Sequence, residues 1–172
     1  MKEIKEYIRD IPDFPKEGIV FKDISPLLNH SDTFNRVIEM WKERYANHGI
    51  DTVVGVEARG FVFAAAVAYA IGAGCVMIRK PRKLPYKTFS KTYDLEYGTD
   101  TLEVHQDAID PGNKVLVIDD VLATGGTMEA VLELLMDNFK CELVEVTFLM
   151  ELSFLGGRDK MKNLPVYSLV SY

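Results

Sequence analysis

Cysteine is nearly absent from the 172 residues: Cys75 and Cys141 are the only two. Their spacing builds neither a metal knuckle nor a disulfide framework. Both sit among apolar neighbours and read as reduced core residues of a cytoplasmic protein. No apolar run reaches the ~20 residues of a membrane span. The opening MKEIKEYIRD lacks the apolar core of a signal peptide, so no membrane partner is expected. Positive charge is not in excess: the balance is −6, and the surface as a whole does not attract nucleic acid. The nucleotide P-loop signature G-x-x-x-x-G-K-[ST] is missing, as is G-x-G-x-x-G. There are no repeats, low-complexity tracts or linkers. What remains is 48% hydrophobic and 27% charged, an ordinary globular mixture. The length predicts a single domain, 1–172, with one sizeable core.

The organising stretch is VLVIDDVLATGGT, residues 115–127. Val115 to Ile118 form a short apolar run suited to a buried parallel strand. Asp119 and Asp120 follow at its carboxyl end. The small-residue turn Ala123-Thr124-Gly125-Gly126-Thr127 comes next. Met128, Val131, Leu132, Leu135 and Phe139 then recur at helical spacing. Such a loop aims backbone N–H groups and a helix N-terminus at one spot, which favours a phosphate. Two adjacent carboxylates repel and need a reason to be there. They suit sugar hydroxyls or a metal ion, so the combination points to a phosphorylated sugar.

Earlier in the chain, Ile4, Ile8 and Ile11 predict one face of a short helix ended by Pro12 and Pro15. Residues 14–28, FPKEGIVFKDISPLL, lack a period and read as an ordered loop, extended at 19–21. Phe14, Val20 and Phe21 are expected to be covered, because exposing them is costly. Ser31 or Asp32 is positioned to cap the next helix. Phe34, Val37, Ile38, Trp41 and Tyr45 form its core-facing stripe, and Gly49 stops it.

Residues 52–56 predict a strand, Glu57-Ala58-Arg59-Gly60 a tight turn, and 61–71 an apolar helix. Arg59 opposes the helix macrodipole; an anion partner and a salt bridge to Glu57 both explain it. Residues 74–78 predict another strand. Arg79–Tyr93, RKPRKLPYKTFSKTY, carries six basic residues and no acid, which leaves the remainder at −6 − 6 = −12. Its prolines argue against a regular element, and its charge predicts a flap that meets a polyanion. Residues 93–97 and 101–105 alternate as a hairpin. Residues 143–150 and 166–170 complete the strands, with Gly156-Gly157-Arg158 in a loop or short helix between them. Strands alternating with helices predict a mainly parallel, twisted α/β sheet flanked by helices. Its ligand should lie beyond the carboxyl ends of the strands.

The stretch 115–128, with VGVEARGFVF (54–63), IRKPRKLP (78–85), YDLEYGTDTLEVHQDAI (93–109) and LMELSFLGGRDKM (149–161), resembles the type I phosphoribosyltransferases. FKDISPLL and LEYG resemble the adenine branch. The resemblance implies a type I phosphoribosyltransferase fold with an N-terminal hood (1–33) and a flexible hairpin flap (79–107). It also implies synthesis of AMP and diphosphate from adenine and phosphoribosyl diphosphate with Mg²⁺. By the same resemblance Ala123, Thr124, Gly125, Gly126 and Thr127 hold the 5′-phosphate. Asp119 and Asp120 take the ribose hydroxyls and touch the metal mostly through substrate. Glu57, Ala58, Arg59 and Gly60 contact the diphosphate, with a strained peptide at Glu57-Ala58. Arg79, Lys80 and Lys83 cover the diphosphate, largely from the neighbouring subunit of a homodimer. Phe21 and Leu152 sandwich adenine, and backbone near Val20 and Lys22 reads its edge. Glu96 and Arg59 are the implied catalytic residues, with Tyr97 on the flap.

Two positions depart from the pattern: Ala64 and Arg82 stand where glycine is usual. The alternatives are a transferase for xanthine or hypoxanthine, and a sensor that binds phosphoribosyl diphosphate without catalysis. A nucleic-acid patch at residues 79–91 would show steep salt dependence and is not expected.

Overall fold

The computed structural model describes residues 4–94, 98–161 and 163–172. Its centre is built from short runs of β-branched and aliphatic residues: β3 (Thr52–Val56), β4 (Gly74–Ile78), β7 (Lys114–Leu122), β8 (Glu142–Glu151) and β9 (Val166–Ser171). These pair in parallel in the order β4-β3-β7-β8-β9. Parallel strands are covered on both faces, and β7 shows how. Val115 and Val117 pack with α4 (Gly126–Asn138) and with Leu102 and Val104. Leu116 and Ile118, alternating with them, pack with α2 (Ser31–Tyr45) and α3 (Gly60–Ile71).

The antiparallel hairpin β5 (Thr88–Asp94) and β6 (Thr99–His105) lies on the α4 side. Phe89 meets Phe139 edge-on at 5.6 Å, and Lys91 pairs with Glu133 on α4 at 2.9 Å. Pro81 and Pro85 precede β5, so the strand starts at Thr88 inside the stretch expected to be irregular. The hood is a second antiparallel pair, β1 (Arg9–Pro12) and β2 (Val20–Asp23), followed by α1 (Ser25–Asn29).

Several expectations are corrected here. The predicted N-terminal helix is only a 3-10 turn at Ile4–Tyr7. A helix that short is marginal, and strand pairing with β2, plus Arg9–Asp23 at 2.9 Å and Lys22–Asp10 at 2.6 Å, wins. Ser25–Asn29 is helical rather than looped, with Pro26 in its first turn. α2 is capped by neither Ser31 nor Asp32: the Thr33 N–H donates to the His30 ring at 3.3 Å. It ends at Tyr45, and Gly49 lies beyond it in a turn with φ 65°. Phe14 and Val20 are about half exposed on the hood. Cys75 is exposed because β4 is the edge strand, and Cys141 is half-buried. Partial burial raises both thiols. Asp119 and Asp120 lie within β7, not beyond it. Val121 and Leu122 continue the run and pair with Met150 and Glu151 of β8. Among the described residues no helix is long and apolar enough to cross a membrane.

Candidate active site

The strand order reverses between β3 and β7: from β3 the chain goes to β4 on one side, and from β7 to β8 on the other. The crevice at such a switch point is where α/β sheets bind ligands. Here it is a cleft of about 420 Å³. Glu57, Ala58 and Arg59 enter it from the end of β3, and Asp119 and Asp120 from β7. Ala123, Thr124, Gly125, Gly126 and Thr127 complete it. Val121, Leu122 and Met128 also line it and were not among the expected residues.

Gly60 explains the closeness of the two halves. A Cβ there would stand 2.7 Å from Asp119 Oδ1 and 3.0 Å from the Ile118 carbonyl, so α3 can start against β7 only without a side chain. The Glu57–Ala58 peptide is cis. At the other rim Gly125 is the N-cap of α4 with φ 80°, and no side chain caps the helix. The first-turn N–H groups are thus offered to an anion.

The acidic pair is electrostatically tense. Burial, and then the charge of Asp120, push the Asp119 carboxyl well above its ordinary value. Burial raises Asp120 as well, with Arg59 opposing. Asp119 Oδ1 accepts from the Asp120 N–H at 2.9 Å. The Arg59 guanidinium pairs with Asp120 at 2.8 Å and donates to the Lys22 carbonyl at 3.3 Å. It also stacks 4.8 Å from the Phe21 ring. Arg59 therefore ties the hood to the acidic pair. Of the two explanations open for it, the salt bridge to Glu57 is not formed.

Glu57 instead holds the start of the flap. It accepts from Arg79 Nε at 3.2 Å and from the Lys80 N–H at 2.8 Å. Burial opposes its charge, but these bonds win and hold the carboxyl below its usual value. Arg79 also donates to the Lys83 carbonyl at 3.2 Å. Lys80 pairs with Asp100, whose Oδ2 also accepts from the Tyr93 hydroxyl at 3.5 Å. That hydroxyl lies 3.3 Å from Thr127 Oγ1. Arg79, Lys80 and Lys83 thus stand beside the cleft without lining it. Phe21 and Lys22 reach it through Arg59, whereas Val20 lies opposite Pro12 in the hood. Leu152 reaches it through Leu122, whose carbonyl takes the Leu152 N–H at 2.9 Å. Glu96 and Tyr97 lie outside the described residues.

Residues 23–166 match the phosphoribosyl transferase domain family. The adenine phosphoribosyltransferase of Trichlorobacter lovleyi is 59% identical over 172 residues, covering all of both chains. The chain belongs to the adenine phosphoribosyltransferase family. Solved structures of adenine phosphoribosyltransferases superpose closely. That from Thermoanaerobacter pseudethanolicus has a TM-score of 0.94 at 47% identity, covering 98% of each chain. That from Saccharomyces cerevisiae, complexed with an imino-altritol bisphosphate and adenine, scores 0.90 at 40% identity over 96% of each chain.

Against the phosphoribosyltransferase pattern, the two departures have structural answers. Ala64 is fully buried. It fits because Gly55 opposite has no side chain; a Cβ on Gly55 would stand 2.6 Å from that of Ala64. Arg82 has φ 64°, the left-handed region that glycine enters freely. Among the described residues no cluster of three or more His, Cys, Asp or Glu side chains could hold a metal alone. The signal for Val121 and Leu122 was in the sequence as continued apolar character. The Tyr93–Thr127 contact is tertiary and left no sequence signal.

Proposed function

We propose that the chain transfers the 5-phosphoribosyl group from phosphoribosyl diphosphate to N9 of adenine, releasing AMP and diphosphate, as a purine salvage enzyme. The observation that carries this is the Asp119–Asp120 pair, Asp120 buried and Asp119 partly so, beside the uncapped start of α4, in a chain whose relatives are named for adenine. A phosphate seat and a diol seat in one cleft suit a ribose 5-phosphate. The donor set also fits Mg²⁺, which usually takes one or two carboxylates and completes its shell with water and substrate oxygens. Asp119 and Asp120 would hold it with the substrate, and it would neutralise charge on the departing diphosphate.

The chain's own residues do the rest. N–H groups of 123–127 grip the 5′-phosphate. Asp119 and Asp120 accept from the ribose hydroxyls. Arg59, freed from Asp120 once the sugar arrives, turns to the diphosphate with the 57–60 turn. Arg79, Lys80 and Lys83, largely those of a neighbouring subunit, close over it and stabilise the charge that develops as the bond to C1′ breaks. Phe21 and Leu152 clamp the base, backbone at Val20 and Lys22 reads its edge, and N9 is held in line for attack. Glu96 accepts the N7 proton of adenine as N9 bonds to C1′ and passes it on to solvent, Tyr97 belongs to the same segment, and closure excludes water from the cation-like sugar. A homodimer is supported by Val62, Tyr69 and Met77, all exposed on α3 and the edge strand β4.

The test is product analysis of a mixture of protein, adenine, phosphoribosyl diphosphate and Mg²⁺. AMP and diphosphate are expected in equal amounts, and EDTA in excess of the metal should reduce both at least tenfold. Diphosphate release without AMP would refute transfer to adenine.

A further inference from the structure

The phosphate loop has two sides, and the cleft uses only one. Its other side rests on the Gly156-Gly157 turn, backbone against backbone. A Cβ on Gly125 would stand 2.6 Å from the Gly157 carbonyl oxygen. A Cβ on Gly157 would strike the Ala123 carbonyl and the Leu122 side chain. Gly156 sets up this approach with φ 66°. What fixes the turn is the next residue. Arg158 donates through Nε and a terminal nitrogen to both oxygens of Glu151, each at 2.6 Å. It also donates to the Val166 carbonyl of β9 at 3.0 Å. Glu151 is buried at the end of β8. A planar guanidinium held at three points is rigid in a way that an ammonium cannot match. Farther along, Lys160 approaches Glu129 in the first turn of α4 at 3.7 Å, and Met161 is buried in the same core as Met128.

We propose that Arg158, clamped by Glu151 and the Val166 carbonyl, is a positioning residue for the phosphate loop. It presses Gly157 against Ala123 and Gly125, so that the loop's N–H groups stand preorganised for a sugar phosphate. The proposal rests on the reading of 123–127 as a phosphate seat. Arg158 touches no substrate in this account; it acts through Gly157. Preorganised donors spare the ligand the ordering cost of binding, so loosening the clamp should weaken the phosphate end and leave the base end intact.

Ribose 5-phosphate is the probe that separates the two claims, because it carries the phosphate and the diol but neither base nor diphosphate. Its binding is measured by calorimetry on wild type, Arg158→Met and Arg158→Lys, alongside KM for each substrate. Arg158→Met is expected to weaken ribose 5-phosphate binding and raise KM for phosphoribosyl diphosphate at least tenfold, with KM for adenine within twofold. Arg158→Lys, which keeps the charge but not the fork, should fall between. Should Arg158→Met fail to fold, Arg158→Lys and Glu151→Gln, which weakens the same fork, carry the comparison, and each must show the same selective loss. Folded variants that bind ribose 5-phosphate within twofold of wild type overturn the proposal, as does an equal rise in both KM values. A wild type that does not bind ribose 5-phosphate refutes the phosphate-seat reading itself, and the proposal falls with it.

Discussion

Asp119 and Asp120 sit where neither carboxylate is comfortable. Burial, and then the neighbouring charge, raise Asp119 well above its ordinary value. A carboxyl raised in the folded chain holds a proton that the unfolded chain has already lost. Stability therefore falls as pH rises from the ordinary value of 3.8 to the raised one, and stays reduced above it. Asp119→Asn removes that penalty while its side-chain oxygen can still accept from the Asp120 N–H. Thermal melts should show the variant more stable than wild type at pH 7.5 by a few degrees, of order 1 kcal/mol, with the gain shrinking toward pH 4. AMP synthesis should drop at least tenfold. An unchanged melting temperature at pH 7.5 would contradict the tension inferred for the pair. The pair and the TGGT turn were legible because carboxylate repulsion and small-residue loops are local signals. Arg59's choice of Asp120 over Glu57 was not legible, since it depends on which strand lies beside β3. Arg82 at positive φ costs about 1–2 kcal/mol, which accounts for the usual glycine at that position.

At the scale of elements, α2 shows how a sequence stripe becomes a fixed angle. Its apolar face was plain in the spacing of Val37, Ile38, Trp41 and Tyr45, all buried. Its polar locks were not. Trp41 Nε1 donates to Thr147 at 2.8 Å. Glu145 accepts from Arg44 at 2.7 and 2.8 Å and from the Tyr45 hydroxyl at 2.5 Å. Burial would raise the Glu145 carboxyl, but the bonds from Arg44 and Tyr45 hold it below its ordinary value of 4.5. The stability it contributes is present above that value and is lost as pH falls below it. Glu145→Gln should cost about 1–2 kcal/mol in urea unfolding at pH 7.5, Arg44 being partly exposed, and the difference from wild type should narrow below pH 4.5. A cost that does not change with pH would place the stabilisation elsewhere. The hood departs from its local pattern for the same reason of distance. Spacing alone made a helix of Ile4, Ile8 and Ile11, whereas the partner that made a strand of Arg9–Pro12 lies eight residues or more along the chain.

Across the whole molecule, the sheet order decides where everything meets. Alternating strands and helices gave the parallel α/β class from sequence, and the reversal between β3 and β7 turned that class into a location. Charge is arranged to the same end. Three basic residues of the 79–93 stretch are paired within the chain: Arg79 with Glu57, Lys80 with Asp100 and Lys91 with Glu133. The stretch is therefore tethered beside the cleft. The hood brings Phe21 to the cleft through Arg59, which places an aromatic ring next to the Asp119–Asp120 pair and the 123–127 loop. The most direct measurement is nucleotide formation with adenine, hypoxanthine, guanine and xanthine, each supplied separately with phosphoribosyl diphosphate and Mg²⁺. The account predicts AMP from adenine, with each oxopurine at least a hundredfold slower. Nucleotide formed only from an oxopurine, or from no base at all, would contradict it.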